Sequence, residues 1–174
     1  MTLDMIRFRP VAAVLASASL AVSLVSCNTV LTNDYEATAV TEYTWQVEYT
    51  IDPNKTHGRR LEQFASTSLV NHNGIIPDGA VTGPDDRGLW WPALPPRPTV
   101  DELEASQRSR EIIGTPELIK RVDYSLTYQA DGETVTRPTD YSVYRQAVKA
   151  YENERPLELT LGIGDTTVEK AESR

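Results

Sequence analysis

Cysteine is all but missing from this chain. Cys27 stands alone, so no disulfide can form within the molecule and the fold must rest on its own core. Histidine is nearly as scarce: His57 in NKTHGRR and His72 in VNHNG both lie in turn-like sequence. A zinc site would need the two to converge with a carboxylate, and nothing in their spacing asks for that. Positive charge is short as well, with 17 Lys and Arg against 25 Asp and Glu and a net charge of −8. That balance argues against nucleic acid as a partner and against an electrostatic grip on anionic lipid. The expectation is therefore no metal, no cofactor and no nucleic acid.

The usual catalytic patterns are also missing. No G-x-S-x-G elbow occurs, and serines such as Ser66 and Ser68 have no identifiable base. The glycines are scattered singly, so there is no phosphate-cradling loop. DPNKTHG begins at Asp52 like a calcium loop, but its glycine comes one place late and Gln63 stands where a bidentate glutamate is required. A glycosidase-type pair of carboxylates has no spacing signature, which leaves a hydrolase open as an alternative. Asp85-Asp86 in GPDDRG is the tempting pair, and a solvated turn is its plainer reading.

What is present begins with an address. Arg7 and Arg9 precede the apolar, Ala- and Ser-rich run Val11–Val25, the pattern of a secretory signal peptide. The run is short for a spanning helix, which needs about 20 mostly apolar residues. It ends in LVSC, with Leu24 three places before Cys27 and a small residue, Ser26, directly before the cut and the cysteine, which resembles the bacterial lipobox. Cys27 is then the lipidation site, and acyl chains on it anchor the protein to a membrane. Asn28 does not decide which membrane. Residues 1–26 are expected to be the signal peptide and 27–39 the lipidated cysteine and a flexible tether. Residues 40–164 would form one globular domain, and 165–174 a disordered tail.

Within that domain, Tyr43, Trp45, Val47, Tyr49 and Ile51 alternate with polar residues, the mark of a strand buried on one face. LEQFASTSLV, from Leu61, fits a helical turn or a strand equally, and the segment up to Gly88 reads as loop. Thr99 and Glu102 make a capping box for a helix over VDELEASQR. Val122, Tyr124, Leu126 and Tyr128 alternate toward the turn signal Asp131-Gly132, which predicts a hairpin. Thr139 or Asp140 caps a helix with Tyr141, Tyr144, Ala147, Val148 and Tyr151 at helical spacing, ended by Pro156. Leu157, Leu159, Leu161 and Ile163 return to period two. The sum is an α+β fold: a small, mainly antiparallel sheet with one or two helices packed on one face, and a long Pro-rich loop.

That loop, GLWWPALPPRP, is extended polyproline II by composition. Pro92, Pro95 and Arg97 fit P-x-x-P-x-R, a pattern gripped by SH3 domains, but an exported segment would not meet those partners. Two readings remain. In one, the tryptophans pack on the domain's own sheet and the prolines form a stiff strap. In the other, Trp90, Trp91, Pro95, Pro96 and Arg97 are a docking surface for a protein partner. GLWWPALPPRPTVDELE with GTPELIKRVDYSLTYQADG resembles a group of uncharacterised exported cyanobacterial lipoproteins. The resemblance implies no catalytic residue. It implies an anchor at LVSC on the periplasmic or thylakoid-lumenal face of a membrane. The function expected is a non-enzymatic binding or assembly module. An envelope hydrolase acting through scattered carboxylates and a small-ligand binder using the aromatic sheet face are the alternatives.

Overall fold

The computed structural model describes residues 28–55 and 57–174; Cys27 and the expected signal segment lie outside the described residues. The fold is α+β, with two antiparallel sheets and two helices. The larger sheet is built on β2 (Tyr35–Thr50), which pairs on one side with β3 (Arg59–His72). On its other side β2 pairs with β5 (Glu117–Ala130) and, near its end, with the short β4 (Ile112–Ile113). β6 (Glu133–Thr139) completes that sheet as an edge strand, where Pro138 leaves no ladder donor unmet. The smaller sheet has β7 (Leu157–Leu161) between β1 (Thr29–Thr32) and β8 (Val168–Ser173). Among the described residues no helix is long and apolar enough to cross a membrane.

The strand registers explain which residues face inward. Ala37, Ala39, Thr41 and Tyr43 of β2 lie opposite Leu126, Tyr124, Val122 and Lys120 of β5, and residues paired across a ladder share one face. On that face sits α2 (Tyr141–Glu152), capped by the Asp140 carboxylate, which accepts from the Val143 N–H at 2.9 Å. Val143, Tyr144, Ala147, Val148 and Ala150 are buried against Leu157, Leu159 and Leu161 of β7, with Ala37, Ala39 and Leu126 below. Ala37 and Ala39 are small where a helix must come close. A second cluster at the far end of β2 joins Val47 and Tyr49 to Leu103 of α1 (Val100–Ser106), whose capping box between Thr99 and Glu102 is complete. The β5–β6 turn forms at Asp131 and Gly132, both with positive φ, as a two-residue hairpin demands.

Three expectations need correction. The tether over 28–39 is instead β1 and the first turnless stretch of β2, because Thr32, Ala37 and Ala39 are buried although none is bulky. The tail over 165–174 contains β8, in which Val168 and Ala171 are buried; an irregularity at Thr160/Leu161 spaces them by three and hides the alternation. The strand expected to run to Ile163 stops at Leu161, and Ile163 projects from a short 3₁₀ turn at 81 % exposure. LEQFASTSLV resolves as β3. Two of its residues, Phe64 and Ala65, oppose the single Trp45, and this bulge moves the inward positions from even to odd numbers partway along the strand.

Candidate functional site

The Pro-rich segment crosses the inner face of the large sheet, and its backbone is held there by buried polar side chains. Asn71, wholly buried, accepts from the Trp90 N–H at 2.8 Å and donates to the Trp90 carbonyl at 3.1 Å. The Thr41 hydroxyl donates to the same carbonyl at 2.8 Å. Farther along, the Trp45 indole donates to the Pro95 carbonyl at 3.0 Å and the Thr67 hydroxyl to the Ala93 carbonyl at 2.6 Å. Buried backbone groups need partners, and a proline-rich chain has no ladder to supply them. The sheet's Asn, Thr and Trp side chains do so here.

The two adjacent tryptophans take different places. Trp91 is 7 % exposed, tilted at 34° to Tyr43 with ring centroids 4.9 Å apart. Trp90 is half-buried, and Gly83 lies against it so closely that a Cβ there would stand 3.0 Å from the ring. Just before these rings the chain doubles back through PDDRG, with Thr82 and Trp91 bridged by backbone bonds. One Asp85 oxygen accepts from the N–H groups of Arg87 and Leu89, at 3.0 and 2.9 Å. The other accepts from the Trp91 indole at 2.9 Å. Asp85 is thus the organiser of the loop, and Asp86 is exposed beside it.

Beneath this loop opens a cleft of about 630 Å³ whose walls include Tyr43, Trp91, Lys120, Val122 and Tyr124. The Lys120 ammonium lies 5.3 Å above the Tyr43 ring and 5.1 Å above that of Trp91. Among the described residues it takes part in no ion pair. Across the cleft, the Arg87 guanidinium rests 5.5 Å from the Tyr141 ring centre. No family model, curated protein or solved structure matches the chain. Function has therefore to be argued from the chemistry of the cleft itself.

The floor of the cleft continues into a tyrosine cluster. Tyr124 packs 5.8 Å from Tyr141 and 5.2 Å from Tyr144, ring centre to ring centre. The hydroxyls of Tyr124 and Tyr144 are buried without a hydrogen-bond partner among the described residues. Burial raises both phenols above their ordinary value, and Tyr144 is pushed up to about 12; Arg87 opposes the rise at Tyr124 without reaching hydrogen-bond geometry. Tyr35, Tyr49 and Tyr128 are raised as well, chiefly by burial. Below the unfolded phenol value of about 10 both states stay protonated and stability is whole; above it the unfolded chain ionises first. The domain is expected to stay native to about pH 10 and to unfold as the pH rises toward 12. The last tyrosines to ionise should do so together with the loss of circular dichroism; ionisation of all eight with the dichroism still native would refute the burial.

Of the residues singled out for partner binding, Trp91 and Pro95 are buried against the sheet, while Pro96 and Arg97 are exposed. Pro92 and Pro95, the prolines an SH3 groove would grip, both face inward. The Arg97 guanidinium lies 5.7 Å over the Trp45 ring. The histidines do not meet: His57 is in an exposed turn, and the His72 Nδ1 lies 3.1 Å from the Glu36 carboxylate. Among the described residues no group of three His, Cys, Asp or Glu side chains is placed to hold a metal. Lys120 was not legible as a site residue. In ELIKRVDY it is one charge in a polar-looking stretch, and only the register opposite Tyr43 places it over the rings.

Proposed function

We propose that the protein is a lipid-anchored, non-enzymatic binding module whose working site is the cleft beside the strap. Its ligand is a small molecule with a planar apolar body and one anionic group. The observation that carries this reading is Lys120, an ammonium held over two aromatic faces with no carboxylate partner among the described residues. A cation over a π-face keeps its full charge toward the open side. An anion entering the cleft gains a charge-assisted hydrogen bond there, while its apolar part displaces water from Val122 and Tyr124. Asp85 is occupied by three hydrogen bonds within its own loop, which leaves no free carboxylate pair in the cleft for acid–base work. The address, at the periplasmic or lumenal face of a membrane, is supported by the LVSC motif and the signal pattern before it.

Anilinonaphthalene sulfonate has the required chemistry and reports its own binding by fluorescence. The wild-type protein should bind it saturably, with energy transfer from Trp91. Lys120→Glu, an exposed position, should melt like the wild type and weaken binding about tenfold, or about 1.4 kcal/mol. Unchanged dye affinity in Lys120→Glu would refute the cleft. The address is tested separately: Cys27→Ala should abolish palmitate labelling, and labelling at the wild-type level would refute the lipid anchor.

A further inference from the structure

We infer that the domain is seated directly on the bilayer, with the turn that carries Ile163 in contact with lipid. The inference rests on the lipid-anchor part of the proposed function and is independent of the cleft.

The residue that follows Cys27 is not on a spacer. The Asn28 carbonyl accepts from the Leu161 N–H at 2.8 Å, and its side-chain amide donates to both Asp165 oxygens, at 3.0 and 2.9 Å. Thr29 is already in ladder register with Thr160. The Asp165 carbonyl in turn accepts from Arg137 of β6 at 2.5 Å, so the clasp joins both sheets. Consecutive Cα atoms are about 3.8 Å apart, which leaves no length of chain to hold the domain away from acyl groups on Cys27. The surface around Asn28 therefore lies at the head-group level.

That surface carries the right chemistry. Ile163, two residues before Asp165, is 81 % exposed, the most exposed large apolar side chain among the described residues. Its turn is stiff. Gly164 and Asp165 both have positive φ, the Asp165 N–H donates to the Gly162 carbonyl at 3.0 Å, and the Thr166 hydroxyl donates to the Ile163 carbonyl at 3.1 Å. A rigid apolar tip beside an acyl anchor enters the interface at little entropic cost, and it fixes the tilt of the domain. The acidic charge of the chain gives no attraction to anionic lipid, so contact depends on the anchor and on Ile163. Asn28 shares a hollow with Tyr128, which pairs with Tyr35, whereas Lys120 pairs with Tyr43. From Tyr35 to Tyr43, at about 3.3 Å per residue, is roughly 26 Å of strand, so the cleft is held away from the anchored end.

The test uses the full chain, purified with its lipid and reconstituted into vesicles of phosphatidylethanolamine and phosphatidylglycerol. Ile163→Cys carries an environment-sensitive fluorophore; Leu94→Cys, on the exposed side of the strap, is the control. The probe at 163 should shift to the blue, be quenched by spin-labelled lipid and be shielded several-fold from iodide relative to the probe at 94. Equal iodide access at the two positions, with acylation of Cys27 verified by mass spectrometry, would overturn the seating and leave the anchor intact. Absence of acylation would overturn both. Shielding of the 163 probe in the unacylated Cys27→Ala chain, with neither detergent nor vesicles present, would assign Ile163 to a second copy of the chain and also overturn the inference.

Discussion

Leu159→Asp is expected to prevent the domain from folding. Leu159 is wholly buried in the middle strand of the small sheet, paired with Val30 on one side and Ala171 on the other. Its side chain meets the apolar face of α2, and no basic group belongs to that core cluster. An ionised carboxylate there has neither water nor partner, a penalty of several kcal/mol even after relaxation. That is comparable with the whole stability of a domain, about 5–15 kcal/mol. Glu158, the preceding residue, points outward to an ion pair with Arg174, and Glu158→Lys should change stability by less than about 0.5 kcal/mol. Thermal melts followed by circular dichroism separate the two. Similar losses for both variants would mean that β7 does not have one buried face.

Trp91→Ala should be the most damaging change in the strap. The variant loses a ring packed against Tyr43, leaves a cavity and strips one Asp85 oxygen of its indole donor. Truncation of a buried aromatic costs about 3–5 kcal/mol, which in a domain of this size lowers the melting temperature by about 10 °C or more. Trp91→Phe keeps most of the packing and removes only the indole hydrogen bond, so its loss should be about 1–2 kcal/mol. Trp90→Ala should cost less than Trp91→Ala, since the hydrogen bonds at position 90 are made by its backbone and survive the change. If Trp90→Ala melts below Trp91→Ala, the assignment of the two rings is reversed.

The fold is legible in the sequence where one residue pattern corresponds to one local geometry. Asp131-Gly132 can hardly be other than a tight turn, Thr99 with Glu102 caps a helix, and the even-numbered apolar residues from Val122 to Tyr128 share a face because no bulge interrupts β5. It is hidden where inward positions are small or polar. Ala37, Ala39, Thr41 and Asn71 are all wholly buried, yet none carries a hydrophobic signal. It is also hidden where a bulge resets the count, at Phe64–Ala65 and again beside Leu161. The strap was visible in its prolines, but the cleft was not. Asp85, Trp91 and Lys120 come from the loop and from β5, and their meeting is a property of long-range register alone.

The small sheet also sets the order in which the molecule can be completed. Its middle strand and one edge are the last strands of the chain, while its other edge, β1, is the first. β1 finds its ladder partner only after residues 157–161 exist, and pairing Thr29 with Thr160 is a non-local contact of the kind that slows folding. A chain still emerging from the ribosome lacks the strands that fix its own beginning. The most N-terminal part of the domain is thus the part that waits longest, and a molecule cut short at its C-terminus stays open at both ends.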